Sequence, residues 1–203
     1  MLDHVLLDFI GQIRGALDAA LLQRQAVEER FQVDVLLGDV SWETSYSLPG
    51  EEQPPRVRAD LSVDWPTWSQ SVYRSWSIGE PAEDLPEVVV EVVLRQQRLA
   101  ALPDLAAVLA CLPEEVPALG GDLLLRAAPV IEQVHEPGEP GPRYAVETSY
   151  QGTFRLEEAV LEDTSKLAGP VSELARWLAS ALVRLADLDF AYLPPDPEED
   201  TGS

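Results

Sequence analysis

The sequence predicts an α+β fold: an antiparallel, bent β-sheet with N-terminal and C-terminal amphipathic helices on one face. Two observations carry this. Apolar residues recur at three- and four-residue steps near both ends of the chain and alternate with period two through most of the middle. Strands and helices also fail to alternate regularly, as a doubly wound fold would require.

Leu2, Leu6, Phe9, Ile13, Leu17 and Leu21 lie on one helical stripe, with Asp8, Gln12, Asp18 and Arg24 on the other faces, so a first helix is expected over 2–29. From Phe31 the period is two. Phe31, Val33, Val35 and Leu37 are odd, whereas Val40, Trp42, Thr44, Tyr46 and Leu48 are even, and Gly38 sits at the switch. A glycine where parity changes predicts a bulge or bend in one continuous strand. After LPGEEQPP, alternation resumes with Val57, Ala59, Leu61, Val63 and Trp65 in a half-exposed strand that Pro66 ends. VYRSWSI at 72–78, rich in β-formers, reads as a short strand. EVVVEVVLRQ at 87–96 has valines at both parities and predicts a central strand covered on both faces.

Residues 97–128, punctuated by Pro103, Pro113, Pro117 and Gly120-Gly121, predict an insertion of short helices. Two strands then flank a Gly/Pro turn at 136–142, and Tyr144, Val146, Thr148 and Tyr150 alternate in the second. Gly169-Pro170 opens a C-terminal helix over 170–186, with Val171, Leu174, Leu178, Leu182 and Leu185 on one stripe. One domain is expected over 1–195, followed by a disordered acidic tail over 196–203.

The charge balance narrows the function. Lys plus Arg number 14 against 36 Asp plus Glu, a formal charge of −22. Such a field repels phosphate backbones and anionic lipid, so neither nucleic acid nor membrane insertion is expected. The start MLDHVLLDFI lacks the basic region of a secretory signal, and one cysteine, Cys111, cannot form an internal disulfide. The expected compartment is the cytoplasm. His4, His135 and Cys111 do not make a zinc motif, and with no phosphate-cradling loop or nucleophile elbow, no cofactor, metal or catalytic residue is assigned.

Two patterns remain. VSWETSY at 40–46 is echoed by YAVETSY at 144–150. Polar, β-branched, polar, aromatic suits a strand buried on one side, whereas a duplication would require similarity that the flanks lack. Glu43 and Glu147 in these twins could form a carboxylate pair for acid–base work, although alternation sets both opposite the apolar side chains, on a solvated face. The second pattern is aromatic. Trp42, Tyr46, Trp65, Trp68, Tyr73 and Trp76 fall within one 35-residue window, either as core or as a partner-binding rim. Trp68, just after Pro66, is the hardest of them to bury.

LLGDVSWETSYSLPG with PPRVRADLSVDW resembles the first two strands of the SecB family of export chaperones, and RYAVETSYQGTFRL, with Gly152 and Phe154, resembles that family's last strand. ARWLASALVRLADLDFAYLPP at 175–195 is similar to its helix running into a proline-closed apolar segment. The resemblance implies a non-enzymatic protein that holds unfolded polypeptides in apolar surface grooves, its acidity aiding solubility and attracting basic clients. The N-terminal helix and the 97–128 insertion depart from that family, and homo-oligomerisation stays open. Two other readings stand beside it: an inhibitor or immunity-type adaptor for one basic protein partner, and an enzyme using paired carboxylates.

Overall fold

The structure is a computed structural model. It describes residues 27–36, 39–48, 54–80, 84–135 and 141–194, together with helical Gly11, Gly15 and Ala19. The strands are β1 (Val27–Leu36), β2 (Asp39–Ser47), β3 (Val57–Trp65), β4 (Glu87–Leu99), β5 (Glu115–Leu119), β6 (Asp122–Arg126), β7 (Val130–Val134) and β8 (Arg143–Arg155). The helices are α1 (Thr67–Ser77), α2 (Leu105–Cys111), α3 (Glu158–Glu162) and α4 (Ala168–Ala186).

Seven strands form an antiparallel sheet in the order β1-β2-β3-β4-β8-β6-β5, and β7 pairs with β8 beside β6. The fold is α+β, with the long C-terminal helix packed on the sheet. On β3, odd residues Val57 through Trp65 are buried and even residues half-buried. On β4, even residues Val88 through Leu94 are buried. On β8, Val146, Thr148, Tyr150 and Phe154 are buried. These side chains share one face, against which α4 lays Leu174, Leu178, Leu182 and Leu185.

The twin stretches are both strands, and they present themselves alike. Trp42, Thr44 and Tyr46 of β2 are buried, as are Val146, Thr148 and Tyr150 of β8, while Glu43, Ser45, Glu147 and Ser149 lie on the other face. The shared strand pattern is thus a shared burial pattern.

Five expectations need correction. The kinked ribbon is an antiparallel hairpin: β1 and β2 pair from Leu36↔Asp39 to Val27↔Ser47, and the two residues between them, including Gly38, lie outside the described residues. From Arg30 to Leu36, beyond a register shift after Glu28, odd residues of β1 stand opposite even residues of β2, Val33 opposite Trp42, so chain reversal changes parity as a bulge would. The first helix cannot reach residue 29, because β1 begins at Val27; apart from Gly11, Gly15 and Ala19, the rest of that expected helix lies outside the described residues. The acidic tail does also.

Residues 72–78, expected as a strand, belong mostly to α1, in which Ser69, Tyr73 and Trp76 recur at helical spacing toward the core. The 97–128 insertion is mostly not helical. β4 runs on to Leu99, only Leu105–Cys111 is helix, and β5 and β6 form a hairpin across Gly120-Gly121. Both glycines have positive φ, +69° and +112°, which a side chain would strain. Finally, β4 is central but covered closely on one face only: Val89, Glu91, Val93 and Arg95 on its other side are half-buried.

The chain after α4 docks on the end of β4. Leu193 N–H donates to Arg98 C=O at 2.7 Å and Ala100 N–H to Ala191 C=O at 2.9 Å. Gln96, buried, donates to Leu185 C=O at the last turn of α4, 3.0 Å away. Cys111 is half-buried, its thiol 3.9 Å from Arg184 C=O.

Candidate protein-binding site

The site is built on the first turn of α1. Pro66, at the N-cap, has no side chain to accept from the helix's free N–H groups. Asp39 of β2 supplies the acceptor from across the sheet, taking bonds from Thr67 N–H at 2.6 Å and Thr67 Oγ1–H at 2.7 Å. These two bonds hold the Asp39 carboxyl below its ordinary value. Two residues on, buried Ser69 donates to Glu87 C=O at 2.5 Å and accepts from Glu87 N–H at 2.7 Å and Trp65 Nε1–H at 3.1 Å. The helix is therefore pinned to the ends of β2, β3 and β4.

That orientation divides the aromatic group. The core-facing side carries Tyr73, edge-on to Trp65 with centroids 5.7 Å apart, and Trp76, stacked on Tyr73 at 5.8 Å. Burial raises the Tyr73 hydroxyl's pKa. Trp68 sits about 100° round the helix from Ser69 and stays 50% exposed. It borders a groove of about 400 Å³ lined by Trp68, Asp84, Leu85, Glu87 and Arg155. Leu85 is 40% exposed there, and Arg155 Nε donates to Glu87 Oε1 at 3.1 Å. The lining thus mixes two partly exposed apolar side chains with three charged ones.

Of the six aromatics expected to bind a partner, Trp42, Tyr46 and Trp65 are sealed in the core at 1% exposure or less. That overturns their assignment, since a partner could reach them only by unfolding the sheet face. Tyr73 and Trp76 are half-buried and pack on the core. Trp68 alone of the six presents half of its surface.

The carboxylates Glu43 and Glu147 do not meet. They lie on β2 and β8, separated by β3 and β4, which is roughly 14 Å across the sheet at the usual strand spacing. Glu147 instead pairs with Arg95 at 3.0 Å. Among the described residues no cluster of three or more His, Cys, Asp or Glu is placed to hold a metal ion, and none of their helices is long and apolar enough to cross a membrane. His135 is exposed, its ring 2.8 Å from the Gln133 amide.

Sequence reasoning missed Leu85 and the Glu87–Arg155 pair. A signal for Leu85 was present, an apolar residue in the acidic, proline-flanked stretch EDLPE. The pair is set by the β4–β8 register, Glu87↔Arg155, which spans 68 positions of sequence. A second depression, about 800 Å³, lies between β5 and α4 around Pro117, Arg176 and Trp177. Trp177 there is half-buried and packs edge-on against Tyr150, with centroids 4.9 Å apart. No family model, curated protein or solved structure matches the chain.

Proposed function

We propose that the protein is a non-enzymatic, chaperone-like polypeptide binder, and that the Trp68 groove is where it holds its clients. The observation that carries this is the half-exposed Trp68 indole beside half-exposed Leu85, on a helix fixed by Asp39 and Ser69. An aromatic on a fixed helix loses little freedom on binding, and an exposed tryptophan among charged side chains suits a protein recognition site. The net charge of −22 keeps such a surface soluble.

The test is whether substoichiometric protein suppresses aggregation of unrelated denatured proteins, with solution mass recorded alongside. Suppression that disappears in Trp68→Ala supports the reading, and no suppression by the intact chain defeats it. A second reading, an adaptor for one partner, is favoured by the sealing of Trp42, Tyr46 and Trp65, which leaves Trp68 alone of the six aromatics half-exposed in place of a broad aromatic surface. It predicts a single stoichiometric, salt-sensitive complex.

A further inference from the structure

The sheet face that carries α4 is sealed beyond the strands α4 packs against. Seven strands side by side span roughly 29 Å, whereas a helix with its side chains is about 10–12 Å across. α4 packs against β3 and β5, and α1 is pinned at the ends of β2, β3 and β4. Among the described elements β2 makes its main contacts with β1 and β3, its neighbours in the sheet. Even so, Trp42, Thr44 and Tyr46 along β2 are 2% exposed or less. An indole and a phenol kept from water one strand from the sheet edge require a further layer over them. The chain has one to offer immediately before β1. Gly11, Gly15 and Ala19 are helical and exposed, and a Cβ at either glycine meets nothing within 4 Å. On a 3.6-residue helix these three positions lie on the side opposite the stripe of Leu2, Leu6, Phe9, Ile13, Leu17 and Leu21.

We infer that residues 2–21 of the same chain are a helical cover for the β1–β2 end of this face, laid beside α4 with the apolar stripe on Trp42, Thr44 and Tyr46, and that the cover detaches as a unit while the strands stay paired. Its length fits. The stripe from Leu2 to Leu21 spans roughly 28 Å as a helix, against roughly 27 Å for the nine residues of β2. Its connection fits as well, because the stretch between Leu21 and Val27, where β1 begins, is of the length that commonly joins a helix to the strand after it. Gly11 and Gly15 make the cover separable. Glycine in an exposed helix interior weakens the helix relative to alanine, and a helix of this length is marginal by itself, so burial of the stripe is what holds it in place. The β1–β2 and β2–β3 ladders do not pass through it, and releasing it uncovers Trp42 and Tyr46 without breaking a strand pair.

The test uses the whole chain with Cys111→Ser and one added thiol, from Thr44→Cys on β2 or Val146→Cys on β8, both buried positions. The rate at which a thiol reagent labels each position reads how often that part of the face opens. Phe9→Asp/Ile13→Asp is expected to raise labelling at position 44 roughly a hundredfold and to leave position 146 protected. Gly11→Ala/Gly15→Ala, on the exposed side with open space around it, is expected to slow labelling at position 44 roughly tenfold or more and to leave position 146 unchanged. The alanine pair meets no steric obstacle, so it remains decisive whatever the aspartates do to the fold. Labelling at position 44 that ignores both pairs overturns the inference. Equal effects at positions 44 and 146 overturn the separable cover, because the segment then opens only with the whole core. Labelling that slows with rising protein concentration, together with a doubled solution mass, assigns the cover to a second copy of the chain and overturns its placement on its own sheet.

Discussion

Ser69 and Glu87 are joined through both backbone groups of one residue and all the bonding capacity of one hydroxyl. Ser69 Oγ gives its proton to Glu87 C=O and spends its two lone pairs on Glu87 N–H and Trp65 Nε1–H, with the side chain wholly buried. Glu87 opens β4 at the middle of the sheet, so this hydroxyl fastens α1 to the central strand. The consequences reach both stability and the groove beside it.

Removing the hydroxyl takes the partner from the buried Trp65 indole N–H and from both backbone groups of half-buried Glu87. Ser69→Ala is expected to cost about 3 kcal/mol, read as a lower urea midpoint with an unchanged slope. A loss below about 0.5 kcal/mol would show the bonds to be dispensable.

Trp65 and Trp68, three residues apart, should behave oppositely. Trp65→Ala opens a cavity in the core and should cost about 3–5 kcal/mol. Trp68→Ala, half-exposed, should leave the melting temperature nearly unchanged and remove client binding. If both variants lose stability alike, Trp68 is core and the proposed site is misplaced.

Asp39 makes the protein acid-sensitive in one direction. Its bonds to Thr67 favour the carboxylate, so its folded pKa lies below the ordinary 3.8. The unfolded chain therefore takes up the proton first as pH falls. The stabilisation is complete above 3.8 and disappears as pH drops through the folded value. Asp39→Ala should flatten that part of the stability curve measured by tryptophan fluorescence; an unchanged acid limb would sink the assignment.

Gly152 is needed for close approach. A Cβ there would collide with the Leu123 backbone carbonyl and lie 2.9 Å from Leu124 Cδ2, where β6 crosses β8. Gly152→Ala should cost about 2 kcal/mol or more, because the obstacle is backbone and cannot swing aside. Gly169→Ala, in the first turn of α4 with open space around it, should be neutral or stabilise by up to about 1 kcal/mol. Equal effects at the two positions would refute the steric account.

Much of the sheet was legible in the sequence because burial on one face writes itself as alternation. β3 was expected over the five odd residues from Val57 to Trp65, and those five are buried. α4 was equally plain, since its stripe of leucines has the helical period. The antiparallel pairing of β1 with β2 is indistinguishable in sequence from one bent strand, because both shift parity by one. α1 was misread because its tyrosine, valine and tryptophan favour strands locally, and a helix there depends on Asp39 and Glu87, which are distant in sequence.

Composition and periodicity by themselves determined an acidic α+β chain with alternating strands and a C-terminal amphipathic helix, because each of those properties is local. Which indole stays at the surface was decided only by tertiary structure. Trp42, Trp65 and Trp68 are the same side chain, and their fates differ because β2 and β3 turn two of them toward α4 while the pinned start of α1 turns the third outward. The groove likewise depends on strand register, which joins Glu87 to Arg155 through contacts between residues far apart in the chain.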